Sequence, residues 1–221
     1  MSAAQSGSGG SAGSAGSAAP KQVRPERAAS PLEACRAVLP QVGTVAWIGL
    51  RPARRAPLVV VPEAQVDPVN GLAGDRYTGS TGKRHVTLVN AEHLALAGAL
   101  LGRAPLEPGR ARRNVVVTGI NLNALVGRRF ALGDAVLEGT GTCEPCEHME
   151  ATFGPGAFNA MTGHGGITAR VLRAGVFRLG DAVRALADAA GDPSVEAAPP
   201  TAEVPAEPPQ LGLDLSEKPG G

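Results

Sequence analysis

Aromatic residues make up only 3% of the chain, with a single Trp and a single Tyr, while Gly 30 and Pro 19 are plentiful. Much of this sequence is therefore connection rather than core. Cysteine is nearly absent: three residues cannot build a disulfide framework, and two of them lie only three positions apart. Long apolar runs are missing too. The longest, residues 94–101, is far short of a membrane span, and the N-terminus MSAAQSGSGGSAGSAGSAAP has neither the basic nor the apolar region of a signal peptide. These absences point away from membrane and secretion and toward a cytoplasmic protein. A concentrated basic face is lacking as well. Four basic against two acidic residues precede position 40, sixteen face eleven over 42–187, and one faces seven from 188 onward. That balance argues against nucleic-acid binding. Lysine is scarce: Lys83 is the only one in the central span, so a pyridoxal phosphate Schiff base has one candidate and no supporting motif.

What is present falls into three parts. Residues 1–35 form a Gly/Ser/Ala-rich tail with almost nothing to bury, and 188–221 form a Pro-rich acidic tail; both are expected to stay disordered. The span 42–187 is a comfortable single core. Turn-punctuated apolar runs predict strands over 42–50, 58–66, 85–89, 114–118, 129–132, 135–139, 169–173 and 182–186. The clearest helix covers 91–101, with Asn90 as its N-cap and Gly102 as its stop. Shorter helices are expected around 122–125 and, interrupted by Gly154-Pro155-Gly156, over 150–161. FALGDAVL (130–137) and FRLGDAVR (177–184) agree at six of eight positions. Each reads as strand, Gly-Asp turn, strand, with glycine supplying the unusual φ. The fold class that follows is mainly β: a small closed or curled barrel with a few peripheral helices.

Chemistry concentrates in Gly141-Thr142-Cys143-Glu144-Pro145-Cys146-Glu147-His148, directly after a strand. A Cys-x-x-Cys pair can ligate a metal, cycle between thiol and disulfide, or present one reactive thiolate. Structural zinc needs four protein ligands; His148 could be a third, but no second Cys/His pair exists, and Cys35 lies outside the domain. A thioredoxin-like role wants a βαβ unit that is not there. Two small buried residues would sit badly beside Glu144, Glu147 and His148, so a loop thiolate for a soft metal fits better. Gly71-Leu72-Ala73-Gly74-Asp75-Arg76 is a weak phosphate cradle, or simply a loop with Asp75 capping a turn and Arg76 solvated. Arg112-Arg113-Asn114 opens a strand, and alternation would put Arg112 and Asn114 on one side and Arg113 on the other. Such a pair suits a phosphate or a flat heterocycle, or is an ordinary charged strand start. His85 and His93 read as structural or surface residues, whereas His164, among glycines, could line a pocket.

In chain order, GLAGDR, RHVTLVNAEHL, RRNVVVTGINLNALVGRRFALGDAVL, CEPCEHME and GGITARVLRAGVFRLGDAV resemble a MOSC domain, the family named after the C-terminal domain of molybdenum cofactor sulfurase. The resemblance covers about residues 42–187 and is to a stand-alone, small bacterial-type member. It implies a barrel-like β fold and two functional precedents: binding of molybdenum cofactor (molybdopterin) to reduce N-hydroxylated small molecules or bases, and carriage of persulfide sulfur on a cysteine. By resemblance, Cys146 matches the reactive or molybdenum-binding thiol, with Cys143 and His148 as possible auxiliaries. Arg112 and Asn114 match the Arg-x-Asn motif and Arg76 the Gly-Asp-Arg segment, both expected to contact cofactor. Neither a desulfurase domain nor the β-barrel domain that accompanies MOSC in amidoxime-reducing proteins is recognisable. Sulfur would then come from a cysteine desulfurase carrying the pyridoxal phosphate, or electrons from a donor protein. A non-catalytic thiol metal-binding domain is the third reading.

Overall fold

In the computed structural model, residues 30–54, 56–77 and 81–187 are described. The chain divides into two units, residues 1–38 and 39–221. The first contains α1 (Pro31–Ala37), which is fully exposed. Its N-terminus carries a reciprocal cap: Glu33 N donates to Ser30 Oγ, and Ser30 N donates to the Glu33 carboxylate. Residues 31–35 are thus helical rather than extended. The other residues expected to form disordered tails, 1–29 and 188–221, lie outside the described set.

The strands of the second unit are β1 (Val42–Leu50), β2 (Val59–Val60), β3 (Glu63–Asp67), β4 (Gly71–Leu72), β5 (Val86–Asn90), β6 (Val115–Thr118), β7 (Arg129–Leu132), β8 (Ala135–Thr142), β9 (Ile167–Arg173), β10 (Gly175–Arg178) and β11 (Ala182–Ala185). The main sheet runs β11-β7-β8-β9-β5-β6-β1, and β1 pairs back onto β11. Seven strands therefore close a barrel, with β2 appended to β1. A second small sheet is ordered β10-β3-β4. All strand pairs are antiparallel except β5 with β6. Their connection carries α2 (Ala91–Leu100) and α3 (Pro108–Ala111), the crossover that a parallel pair requires.

Period-two alternation explains why this wall is apolar on both sides. Leu88, Val115 and Val117 fill the barrel with Phe130, Leu137, Ile167 and Phe177. Val89 and Val116 point outward and are covered by Leu94 and Ala97 of α2. Met149 and Phe153 of α4 (Glu147–Phe153) and Ala157 and Met161 of α5 (Ala157–Met161) complete this outer layer.

The two Gly-Asp repeats diverge. Gly133 (φ 54°) and Gly180 (φ 87°) both take the left-handed conformation expected of them. The first repeat is a hairpin, β7 against β8. In the second, β10 pairs with β3 while β11 pairs with β7 and β1, so its turn carries the chain from one sheet to the other. The position after the shared Phe and its neighbour shows the consequence: Leu132 is buried and Leu179 is 46% exposed.

Candidate functional site

The thiol loop leaves the barrel where β8 parts from β9. The last strand pair is Thr142 with Ile167, and one further bond, Cys143 N to Gly166 O at 2.7 Å, carries the pairing a residue on. That bond buries Cys143 (5% exposed), whereas Cys146, three residues along, is exposed at the N-cap of α4. Cys146 O accepts from Met149 N, the first turn of the helix. The two thiols thus occupy different environments, one in the wall and one in solvent.

Arg113 fixes this loop from beneath. Its guanidinium donates to Gly165 O (2.7 Å), Ala111 O (3.0 Å) and Cys143 O (3.2 Å), joining three separate segments. Glycine is required opposite: a Cβ on Gly165 would collide with Cys143 O, and one on Gly166 (φ 85°) with Leu88 O. Burial pulls the Arg113 guanidinium below its ordinary value, while Cys143 and Cys146 push it up and Arg84 and Arg51 push it down. Two sulfurs and three guanidiniums therefore share one electrostatic neighbourhood. Arg84 Nη2 lies 3.7 Å from Cys143 Sγ.

Arg51 is held by a second buried network. Asp75 accepts from Arg51 Nε (3.0 Å), Nη2 (3.2 Å) and backbone N (3.0 Å). Asn114 Nδ2 donates to Asp75 Oδ2 (2.7 Å) and Gly49 O (3.2 Å). Asn114 Oδ1 accepts from Arg51 Nη2, Thr87 Oγ1 and Thr87 N. Burial alone would raise the Asp75 carboxyl, but the hydrogen bonds and charge of Arg51 outweigh it and hold the group below the ordinary carboxylate value.

The sequence-derived candidates distribute unevenly over this arrangement. Cys143 and Cys146 lie on the loop between β8 and α4, the first buried and the second exposed. Asn114 is completely buried with its amide fully engaged, so it positions Arg51 instead of presenting a free edge to a ligand. The alternation proposed for Arg112 and Asn114 does not occur: Arg112 caps α3 in the left-handed conformation (φ 56°), and the strand starts only at Val115. It is the one non-glycine residue with positive φ among those described, a strain often found at functional positions. Arg76 is exposed and tied to the site by its backbone, Arg76 N to Arg51 O at 2.8 Å. His148 is exposed on α4, with Nε2 3.4 Å from Thr152 Oγ1. Among the described residues no group of three His, Cys, Asp and Glu is arranged to hold a metal. His85 is structural, its Nδ1 accepting from Val171 N at 3.3 Å. Arg51, Arg84 and Arg113 were not singled out as site residues from sequence. Arg113 sits inside the Arg-Arg-Asn triplet and Arg84 opens the segment RHVTLVNAEHL, whereas Arg51 had no such clue.

The closed seven-stranded barrel, with a loop bearing two thiols leaving it where β8 parts from β9, defines the class of protein by its fold. Residues 54–184 match the sequence profile of the MOSC domain, more than half of the chain, and the chain belongs to that family. Two solved structures share the fold. YuaD from Bacillus subtilis has a TM-score of 0.58 at 19% identity, covering 66% of this chain and 97% of its own. YiiM from Geobacillus stearothermophilus has a TM-score of 0.55 at 18% identity, covering 67% of this chain and 77% of its own. No curated protein matches the chain. No helix among the described residues is long and apolar enough to cross a membrane.

Proposed function

We propose that this chain binds molybdenum cofactor at the rim around residues 143–146 and works there in the reduction of N-hydroxylated small molecules. The carrying observation is an exposed thiol on a loop pinned by a buried guanidinium, with Arg84 and Arg51 in the same electrostatic neighbourhood. The donor set fits the group: one soft thiolate for the metal, and cations for an anionic phosphate. Cys146 would hold the metal. Arg112 and Arg76, whose side chains are not committed to the core, would meet the phosphate or pterin. When bound, the cofactor would supply two-electron oxygen-atom transfer chemistry.

The protein's own residues do the positioning. Arg113 fixes the path of the loop, so that Cys146 emerges at one place instead of sampling many. Asp75 and Asn114 hold Arg51 in one rotamer without neutralising the rest of the basin. The buried Cys143, with Arg84 on its sulfur, lends support to a second reading as a sulfur carrier, in which Cys146 bears a persulfide loaded by a cysteine desulfurase. The first reading needs an electron-donor protein and the second a desulfurase, so each implies a partner.

Metal content and intact mass separate the two. Protein made alongside the cofactor pathway should retain molybdenum. Cys146→Ser should lose it, Cys143→Ser should largely keep it, and Arg112→Ala should weaken it. A wild type that retains no molybdenum, yet gains about one sulfur atom on incubation with a desulfurase, would replace the first reading by the second. Zinc lost equally from both serine variants would refute both.

A further inference from the structure

A second polar cluster lies on α2 and the loops opposite it, and nothing so far gives it a purpose. Asn90 occupies the N-cap of α2, where its side-chain oxygen would normally accept a helix N–H. It makes no such bond. Its Nδ2 donates instead to Ile120 O at 2.7 Å, which fixes the amide and leaves Oδ1 without a partner although the residue is only 4% exposed. Three residues on, His93 meets His164 edge-to-face, ring centroids 4.9 Å apart at 64°. The Nδ1 atoms of both rings are buried and without partners. The Asn123 Nδ2 donates to Gly163 O beside His164, and its Oδ1 is again buried and unpaired.

Four polar atoms thus stand without partners on neighbouring residues: His93 and His164 touch, Asn90 caps the helix turn that carries His93, and Asn123 is bonded to the residue before His164. Buried polar groups are nearly always satisfied, so a concentration of four in one place calls for a missing partner. None of the four atoms is accessible to solvent, so bulk water does not satisfy them.

We propose that these residues bind a divalent transition-metal ion of the zinc class, through His93 Nδ1 and His164 Nδ1 with the Asn90 and Asn123 amide oxygens. The ring spacing agrees. With nitrogen–metal bonds of about 2.0–2.1 Å, each ring centroid stands about 3.2 Å from the ion, and two rings at a roughly tetrahedral angle stand about 5.2 Å apart. The observed 4.9 Å is close to that. Neutral imidazole is the ligating form. Glu92, within electrostatic reach of His93, offsets part of the ion's charge. Asn90, Glu92 and His93 also line a surface cleft of about 250 Å³, which provides a route in. This site shares no ligand with the thiol loop and does not depend on the cofactor reading.

The test uses the full chain with Cys35, Cys143 and Cys146 all changed to Ser, which removes thiolate binding. Calorimetric titration should find one zinc per chain. Cobalt(II) should give visible ligand-field bands without sulfur-to-cobalt charge transfer. His93→Gln and His164→Gln should each weaken zinc by at least about tenfold, the lower bound for loss of even an outer-shell partner. His148→Gln should change nothing. A second measurement needs no variant: the chain has only four histidines, so each imidazole can be followed by long-range nitrogen–proton NMR in the wild type. Zinc should move the nitrogens of His93 and His164 and leave His85 in place. Absence of stoichiometric binding in the cysteine-free chain, or unmoved His93 and His164 resonances at saturating zinc, would overturn the proposal.

Discussion

Replacing Asp75 by Asn changes few atoms and removes one charge, so it isolates the carboxylate's part in holding Arg51. The Asp75 side chain is 1% exposed and that of Arg51 is 16% exposed. Loss of the carboxylate strands a guanidinium already within electrostatic reach of Arg113. Breaking a buried ion pair on one side costs about 3–5 kcal/mol; the slight exposure of Arg51 places this case near 3 kcal/mol. The sign of the pH dependence follows from the direction of the Asp75 shift. A carboxyl held below its unfolded value near 3.9 contributes stability that is fully present above that pH and lost as pH falls through the lower folded value. Urea unfolding should therefore show a wild-type-to-variant gap of about 3 kcal/mol at pH 7 that narrows below about pH 4. A gap under about 1 kcal/mol at pH 7, or one that does not narrow in acid, would show that Arg51 is not anchored by this charge.

Gly133→Ala and Gly180→Ala should differ although both positions have positive φ. The Gly133 Cβ would meet Val176 O at 2.7 Å and Phe177 Cβ at 2.8 Å, while that of Gly180 meets nothing within 4 Å. Backbone strain alone should cost about 1–2 kcal/mol at Gly180, and crowding should add about 1–3 kcal/mol at Gly133; equal midpoints in denaturant would remove the crowding argument. Arg113→Lys can satisfy at most part of the three carbonyls now served, so thermal stability should fall by about 2–4 kcal/mol. Buried Cys143 should also become alkylated faster, and unchanged alkylation would show that Arg113 does not hold the loop.

The barrel could be read from the chain because its strands alternate or are bounded by Gly-containing turns; the run 42–50 and the hairpin over 129–139 are recovered nearly to the residue. One strand had no signal, β4, which is only Gly71–Leu72, and the single strand expected over 58–66 is split into β2 and β3. The strand before the second Gly-Asp turn is present as β10, but it pairs with β3 and not with β11, since local sequence sets the turn and not the strand's partner. At the site, the thiol pair was visible because cysteine is rare here. The meeting of Asp75 with Asn114 was not, because 39 positions separate them and only the closed barrel brings them to 2.7 Å. Arg51 had no motif around it, and Arg84, though it opens the segment RHVTLVNAEHL, was given no role. The strand alternation assumed for Arg112 failed because α3 intrudes and turns the backbone at that residue.

The seam of the barrel has a consequence for how the chain folds. Val42 lies opposite Arg184, so the first barrel strand is sealed by the last. On a ribosome, β1 would wait with one edge bare until nearly the whole domain had been synthesised, an interval in which a vacant edge invites pairing with another chain. The same geometry brings the two ends of the domain side by side. A short linker across the seam, with new ends placed elsewhere, would preserve every strand pair while making that contact local, and such a permuted chain should close its barrel faster.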